Sequence, residues 1–269
     1  MWRLKPLQVI VYVLIAFLYL PVAVVVLFAF NGGSNLSWPI QGLSLRWFYL
    51  IFNDVSFRSA FLASVEASLI VAVLSVTIST AASMLFTRRP SRASRALQVL
   101  SLLPAMMPPL FIAVSLFTAM AYLDIKPGMP MIVLGQLVVT LPFVLTVINA
   151  RLQRFDTDLE AAARDLGAGP LQTLRRITFP IMLPVLVGAA LLAFAFSFDE
   201  VLITNFTSGM MATLPLYTYS RLHRSIDPSI NAVATLLLVT PWLALALAMP
   251  FVGLGRGLTS RLTAKGPPK

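Results

Sequence analysis

The stretch FAFSFDEVLITNFTSG, Phe194 to Gly209, sets two carboxylates, Asp199 and Glu200, side by side in a run otherwise apolar enough to lie in a bilayer. A carboxylate near the centre of a membrane helix costs roughly 2.5–3.5 kcal/mol on insertion scales, so such acids usually face protein or water and have a role. At about 100° per residue the two do not share a face of a continuous helix. Ser197, Glu200, Thr204 and Ser208 form one polar stripe, and Asp199 falls with Phe196, Ile203 and Phe206. A carboxylate among aromatic rings suits an alkyl ammonium, which gains charge attraction and cation–π contact together. Two other readings stand: Asp199 lies roughly 8–10 Å from the outer end of its helix and reaches the interface, or one acid pairs with a basic residue of a partner subunit. A third acid, Glu66 in FLASVEASLIVAV, sits at comparable depth in an earlier span and either lines a polar route or hydrogen-bonds a neighbouring serine.

Other chemistry is excluded or disfavoured by residue type. The 269 residues contain no cysteine and one histidine, His223, so disulfides and thiolate sites are impossible and a histidine metal cluster is not expected. No catalytic residue and no metal site are expected. No G-x-x-x-x-G-K-[ST] phosphate loop occurs either, so the chain does not read as a nucleotide-hydrolysing unit.

The elements that must hold these residues follow from composition. Hydrophobic residues make up 58% of the chain and charged ones 11%, against about 25% charged in soluble proteins. Apolar stretches near 8–30, 59–86, 97–122, 129–150, 181–206 and 232–254 are each long enough to span a bilayer. The expectation is an all-α polytopic membrane protein of six transmembrane helices, in contact with membrane lipid. The first stretch exceeds the apolar run of a secretory signal and reads as a retained helix. The net charge of +10 follows topology and does not call for nucleic acid: Lys and Arg gather at Arg3 and Lys5, in 88–95, in 151–176 and in the tail from Arg256 to Lys269. The positive-inside rule puts those stretches, and both termini, in the cytoplasm.

Between the first two spans, Asn31 to Arg58 forms an outside loop whose Trp38, Trp47, Phe48 and Tyr49 suit either the membrane interface or ligand contact. The third span carries Pro104, Pro108 and Pro109 in LLPAMMPPL, so its helix must kink or break. Three regions are expected: 1–58 with the first span and outside loop, a core of five spans over 59–255, and a basic tail over 256–269.

The most ordered polar segment is RLQRFDTDLEAAARDLGAGPLQTLRRITFP, 151–180. Thr157 and Glu160 have capping-box spacing, which predicts a helix from Asp158 with Leu159, Ala162, Ala163 and Leu166 on one face. Gly167 and Gly169 end it, and Pro170 starts a second short helix carrying Leu171, Leu174 and Ile177. Two amphipathic helices around a glycine turn either fit a groove in another protein or lie on the membrane surface.

This segment resembles the cytoplasmic motif of permease subunits of binding-protein-dependent ABC importers, a Glu-Ala-Ala pattern followed by a glycine and then by Ile-x-Leu-Pro. Counting from Gly167, Ile177 and Pro180 stand where the pattern asks, Phe179 replaces Leu, and the motif's Glu position is Ala161, with Glu160 one residue earlier. Glu160 either substitutes from the adjacent position or only caps its helix. The resemblance runs over roughly 60–255. In SFDEVLITNFTSG and TLPLYTYSRLHRSIDPSINAVATLLL the chain is similar to the second permease of spermidine/putrescine-type importers. It implies the type I importer permease fold in a bacterial inner membrane. The implied partners are a homologous permease, two cytoplasmic ATPase subunits that use ATP and Mg, and an external solute-binding protein. Ala161, Ala162, Ala163, Leu166 and Gly167 become docking candidates, and Asp199, Glu200, Ser197, Phe196, Thr204, Glu66 and Trp47 candidates for the solute route. Many such permeases resemble P-[DE]-I-V where this chain has Pro108-Pro109-Leu110-Phe111. An aminophosphonate, an opine or an amino acid derivative therefore stands beside a polyamine as solute. Outside the resemblance, an ATP-independent secondary transporter using Asp199 and Glu200 as a relay is the competing class.

Overall fold

The computed structural model describes residues 6–34, 38–223 and 228–263. Arg3, Lys5, Lys265 and Lys269, all used above to read charge, lie outside the described residues. Among these residues twelve α-helices follow in chain order: α1 (Pro6–Ala29), α2 (Arg46–Asn53), α3 (Val55–Arg88), α4 (Arg92–Met106), α5 (Pro109–Tyr122), α6 (Met129–Gln153), α7 (Asp158–Asp165), α8 (Pro170–Thr173), α9 (Phe179–Phe198), α10 (Leu202–Thr207), α11 (Leu214–Leu222) and α12 (Ser229–Thr263). A π turn, Leu174–Thr178, joins α8 to α9. The only β pairing among the described residues is an isolated bridge between Asn31 and Leu43.

Among the described residues, five helices are long and apolar enough to cross a membrane: Gln8–Ala29, Val55–Arg88, Met129–Gln153, Pro170–Phe198 and Ser229–Pro250. The expected third span is a pair, α4 and α5, bent by 101°. Proline is the cause. Met107 before Pro108 is extended (φ −91°, ψ 139°) because the following ring disfavours the helical region, and neither Pro108 nor Pro109 has an N–H to continue the ladder. α12 continues past the expected end of its span to Thr263.

α3 is the hub of the bundle and packs most extensively on α6 and α9, while α12 also packs along α9. Its buried face is built of small residues, Ala60, Ser64, Ala67, Ser68, Val71, Ser75, Ser79 and Ser83, so neighbouring backbones approach closely. α3 is 34 residues long, roughly 50 Å, against a hydrocarbon core of about 30 Å. Its last turn therefore extends past the apolar layer, and Arg88 lies there.

At the expected outer end, the loop after α1 folds back on itself. Asn31 Oδ1 accepts from Gly33 N (3.1 Å) and Gln41 N (3.0 Å), and the Trp47 indole N–H donates to the Asn31 carbonyl at 2.7 Å. Trp47 is only 6% exposed. The structure thus corrects the interfacial reading of Trp47: its polar edge is satisfied inside and its ring packs in the main core, whereas Trp38 and Tyr49 stay exposed.

α11 is tied to the start of α3 by Asp54, which accepts from the Tyr217 hydroxyl at 2.7 Å and lies 3.8 Å from Arg221. Burial alone would raise the Asp54 carboxyl. Hydrogen bonds from Tyr217, Ser56 and Phe57 and the charge of Arg221 outweigh it and hold the group below 3.8. Burial, and then the bond to Asp54, push the Tyr217 phenol up to about 12. A depressed carboxylate adds stability above its unfolded value and loses it as pH falls through the folded value. In detergent, the thermal midpoint of the wild type should fall as pH drops below 3.8, and Asp54→Asn should start lower near neutral pH and show a flatter acid fall.

Candidate functional site

The fifth span ends at Phe198, and this corrects the expected single helix to 206. Asp199 caps α9, and α10 starts only at Leu202. Glu200 makes the break. Its Oε1 accepts from Ile203 N (2.9 Å) and its Oε2 from Thr204 N (3.0 Å), which satisfies two of the free donors that open a new helix. The stripe read along one continuous helix therefore does not exist as such. Three of its four residues still meet, through a residue the sequence reading did not single out. Gln136 of α6 accepts from Ser197 Oγ at 2.5 Å and donates from Nε2 to Thr204 Oγ1 at 3.0 Å. Thr204 Oγ1 lies 3.2 Å from Glu200 Oε2, to which it donates. Ser208, the fourth, is buried apart from this chain of bonds with its hydroxyl unpartnered.

Beside the break lies a cavity of about 640 Å³, with Asp199, Glu200, Phe196 and Phe198 on one side, Pro109 and Val139 on another, and Leu237, Leu238, Pro241 and Trp242 of α12 facing them. Asp199 is exposed to it, and among the described residues no cation or donor pairs with its carboxylate. No Lys or Arg lines the wall. Phe196 is 41% exposed and stacks edge-on against Phe143 at 5.0 Å. Trp242, also missed from the sequence, is 68% exposed.

Of the seven expected route residues, Asp199, Glu200 and Phe196 thus line one cavity. The Glu200 oxygens are already occupied by backbone donors, and Ser197 and Thr204 are buried beneath the wall. Trp47 lies in the core. Glu66 lies on the outer face of α3, exposed in line with Leu62, Leu69 and Val73, and makes no serine hydrogen bond.

The expected cytoplasmic segment has two sides. α7 begins at Asp158 as read, but Thr157 makes no side-chain cap, and Asp158 N donates to Asp156 Oδ1 at 3.0 Å. Glu160 instead turns inward. Its Oε1 pairs with the Arg88 guanidinium of α3 and accepts from Thr178 Oγ1 at 2.6 Å. Arg88 also lies 5.5 Å from the Phe155 ring centroid. Neither Glu160, 15% exposed at its side chain, nor Ala161 presents a carboxylate outward; Asp158 and Asp165 do.

α7 ends in a Schellman turn, with Ala168 N bonded to Ala163 O (3.0 Å) and Gly167 N to Arg164 O (2.9 Å). Gly167 sits at φ +82°, and a Cβ there would touch nothing within 4 Å. Ala163 is buried and Ile177 packs against the core, which removes both from the outer face. Ala162 is exposed, Leu166 is 90% exposed and Leu171 76%.

The second helix is not the separate short one expected. α8 runs through the π turn, where Phe179 N donates to Leu174 O, straight into α9. Pro180 supplies no N–H, and the wider π turn lets the helix pass it without a stop.

Long apolar helices with an acidic break at one end and an ordered exposed segment at the other define a multi-pass transport subunit of the type I ABC permease fold. The fold is shared with the MetNI methionine ABC transporter, at TM-score 0.64 and 18% identity over 79% of this chain and 99% of that one. It is shared too with a bacterial ABC transporter involved in import of the acidic polysaccharide alginate, at TM-score 0.68 and 15% identity over 94% of each chain. Residues 74–255 match the family described as binding-protein-dependent transport system inner membrane component, and the chain belongs to that family. It is 32% identical over 240 residues to the spermidine/putrescine transport system permease protein PotC of Haemophilus influenzae, covering 88% of this chain and 91% of the relative. It is 34% identical over 230 residues to the putrescine transport system permease protein PotI of Escherichia coli K12, covering 82% of each.

Hydrogen bonds to a charged group are worth about 1.5–3 kcal/mol each, so the Glu160 cluster should matter for stability. Thermal unfolding of the purified chain should fall further in Glu160→Ala than in Glu160→Gln, which keeps an acceptor for Thr178. Arg88→Ala combined with Glu160→Ala should cost less than the sum of the two.

Proposed function

We propose that this chain is the translocating subunit of an ATP-driven bacterial inner-membrane importer of polyamines. It works beside a homologous permease, with two cytoplasmic ATPase subunits that use ATP and Mg and an external binding protein that delivers the solute. The observation that carries the reading is Asp199: a carboxylate with no partner among the described residues, on an aromatic-lined cavity with no basic residue among those lining it. An alkyl ammonium there meets a charge and ring faces in one place, which is worth about 0.5–2 kcal/mol for the cation–π contact alone. The names of the two relatives support the same solute class.

Pro109 favours one alternative. It stands on the cavity wall where many polyamine permeases resemble an acid, so the wall carries less negative charge. A solute with fewer positive charges, such as an opine or an amino acid derivative, fits that wall as well. Glu66 serves this scheme where the homologous permease covers the exposed face of α3, since a carboxylate there is costly against lipid.

At the other end, Ala162, Leu166, Gly167 and Leu171 form the exposed apolar surface offered to an ATPase groove. The test is uptake of labelled putrescine and spermidine by the full importer in proteoliposomes. Asp199→Asn should lower uptake severalfold with unchanged assembly. Uptake by this chain alone under a proton gradient, without ATP, would overturn the scheme in favour of a secondary transporter. Ala162→Trp should abolish uptake without destabilising the chain, because the site is exposed. It is a cleaner probe than a bulky change at Gly167, where φ +82° adds backbone strain.

A further inference from the structure

A carboxylate can hold a solute group only if its own position is held, and Asp199 sits where a helix stops. The cap of α9 and the start of α10 are separate pieces of backbone, free to shift against each other unless something spans the break. Besides Glu200 within the break, a side chain from a neighbouring helix spans it. Gln136, 1% exposed in the first third of α6, accepts from Ser197 on the α9 side at 2.5 Å and donates to Thr204 on the α10 side at 3.0 Å.

We propose that Gln136 is a positioning residue: it fastens both edges of the break to α6 and so fixes where the Asp199 carboxylate stands in the cavity. The inference rests on the reading of Asp199 as part of the solute route. Three observations carry it. The amide is used at both ends, acceptor to one helix and donor to the other, which a carboxylate, having no donor, cannot reproduce. The bonds continue through Thr204 to Glu200, so one closed circuit joins Ser197, Gln136, Thr204 and Glu200, and Glu200 N returns to Ser197 O at 3.3 Å. Finally, the residue before Gln136 is shaped for the same contact. A Cβ on Gly135 would collide with the Ile203 side chain, so only glycine lets α10 come close enough for Gln136 to reach Thr204.

The chain has no cysteine, so Asp199→Cys introduces its single thiol. In the full importer, labelling of that thiol by a water-soluble cationic methanethiosulfonate is measured against the unsubstituted complex. Uptake is measured in parallel with Asp199 intact. Gln136→Leu, which keeps bulk, should change the labelling rate severalfold. It should raise the half-saturation for solute more than it lowers the maximal rate. Thr204→Val should do the same, and the double substitution should be no worse than the stronger single one, since both cut one bridge. A fall in the maximal rate alone, tracking a smaller amount of assembled complex, with labelling unchanged, would overturn the positioning role. Changed labelling together with normal uptake in Asp199→Asn supports Gln136 as the fastener and overturns the route reading of Asp199.

Discussion

A chain that crosses lipid must satisfy its own amides and carbonyls, because the hydrocarbon offers no partner. This protein interrupts its fifth crossing between Phe198 and Leu202, and much of its acidic end can be understood as the repair of that interruption. Glu200 supplies the acceptors that α10 lacks, Thr204 links Glu200 to Gln136, and Gln136 ties the whole to α6. One consequence is a division of labour between adjacent carboxylates. Glu200 is consumed by structure, and Asp199 is left with its charge facing open space.

The opposite end solves a related problem with the same means. α7 has only eight residues, too few to be stable alone, and a helix meant to meet another protein cannot bury all its apolar surface at home. Glu160 holds it from the inside, reaching Arg88 on α3 and Thr178 next to α9. The outer side, with Ala162 and Leu166, stays free. In both places a half-buried carboxylate fastens a short helix while a neighbouring surface remains exposed.

Hydropathy alone made the spans legible, since lipid imposes long apolar runs. The break in the third span was equally legible, because Pro108 and Pro109 act locally. The start of α7 at Asp158 was read correctly for a partly wrong reason: Thr157 spaces the helix but does not cap it, and Glu160 spends its carboxylate on a residue 72 positions away. Such a partner leaves no local trace. The fifth span was read too long because Val201 to Phe206 is as apolar as a helix needs to be, while the stop depends on where Glu200 turns its side chain. Gln136 left a faint signal, a lone amide in the apolar run of α6, and its meaning depended on which neighbours lay across from it. Trp47 was misread because an aromatic near a span end suits the interface by type, and only the folded loop around Asn31 shows it inside.

The unbroken helix from Pro170 to Phe198 has a mechanical consequence. At 29 residues it is a rod of roughly 43 Å, with the exposed Leu171 near one tip and Asp199 just past the other. A rod of that length pivoting at its middle swings each tip about 4 Å for a tilt of about 10°. The Ser197–Gln136 bond lies near one tip, and the Glu160–Thr178 bond lies on the other arm, roughly 9 Å from the middle. The first is displaced almost as far as the tip itself, and the second by less than half as much. A tilt of this helix against its neighbours therefore strains both bonds, so the two ends of the subunit are joined through one continuous helix.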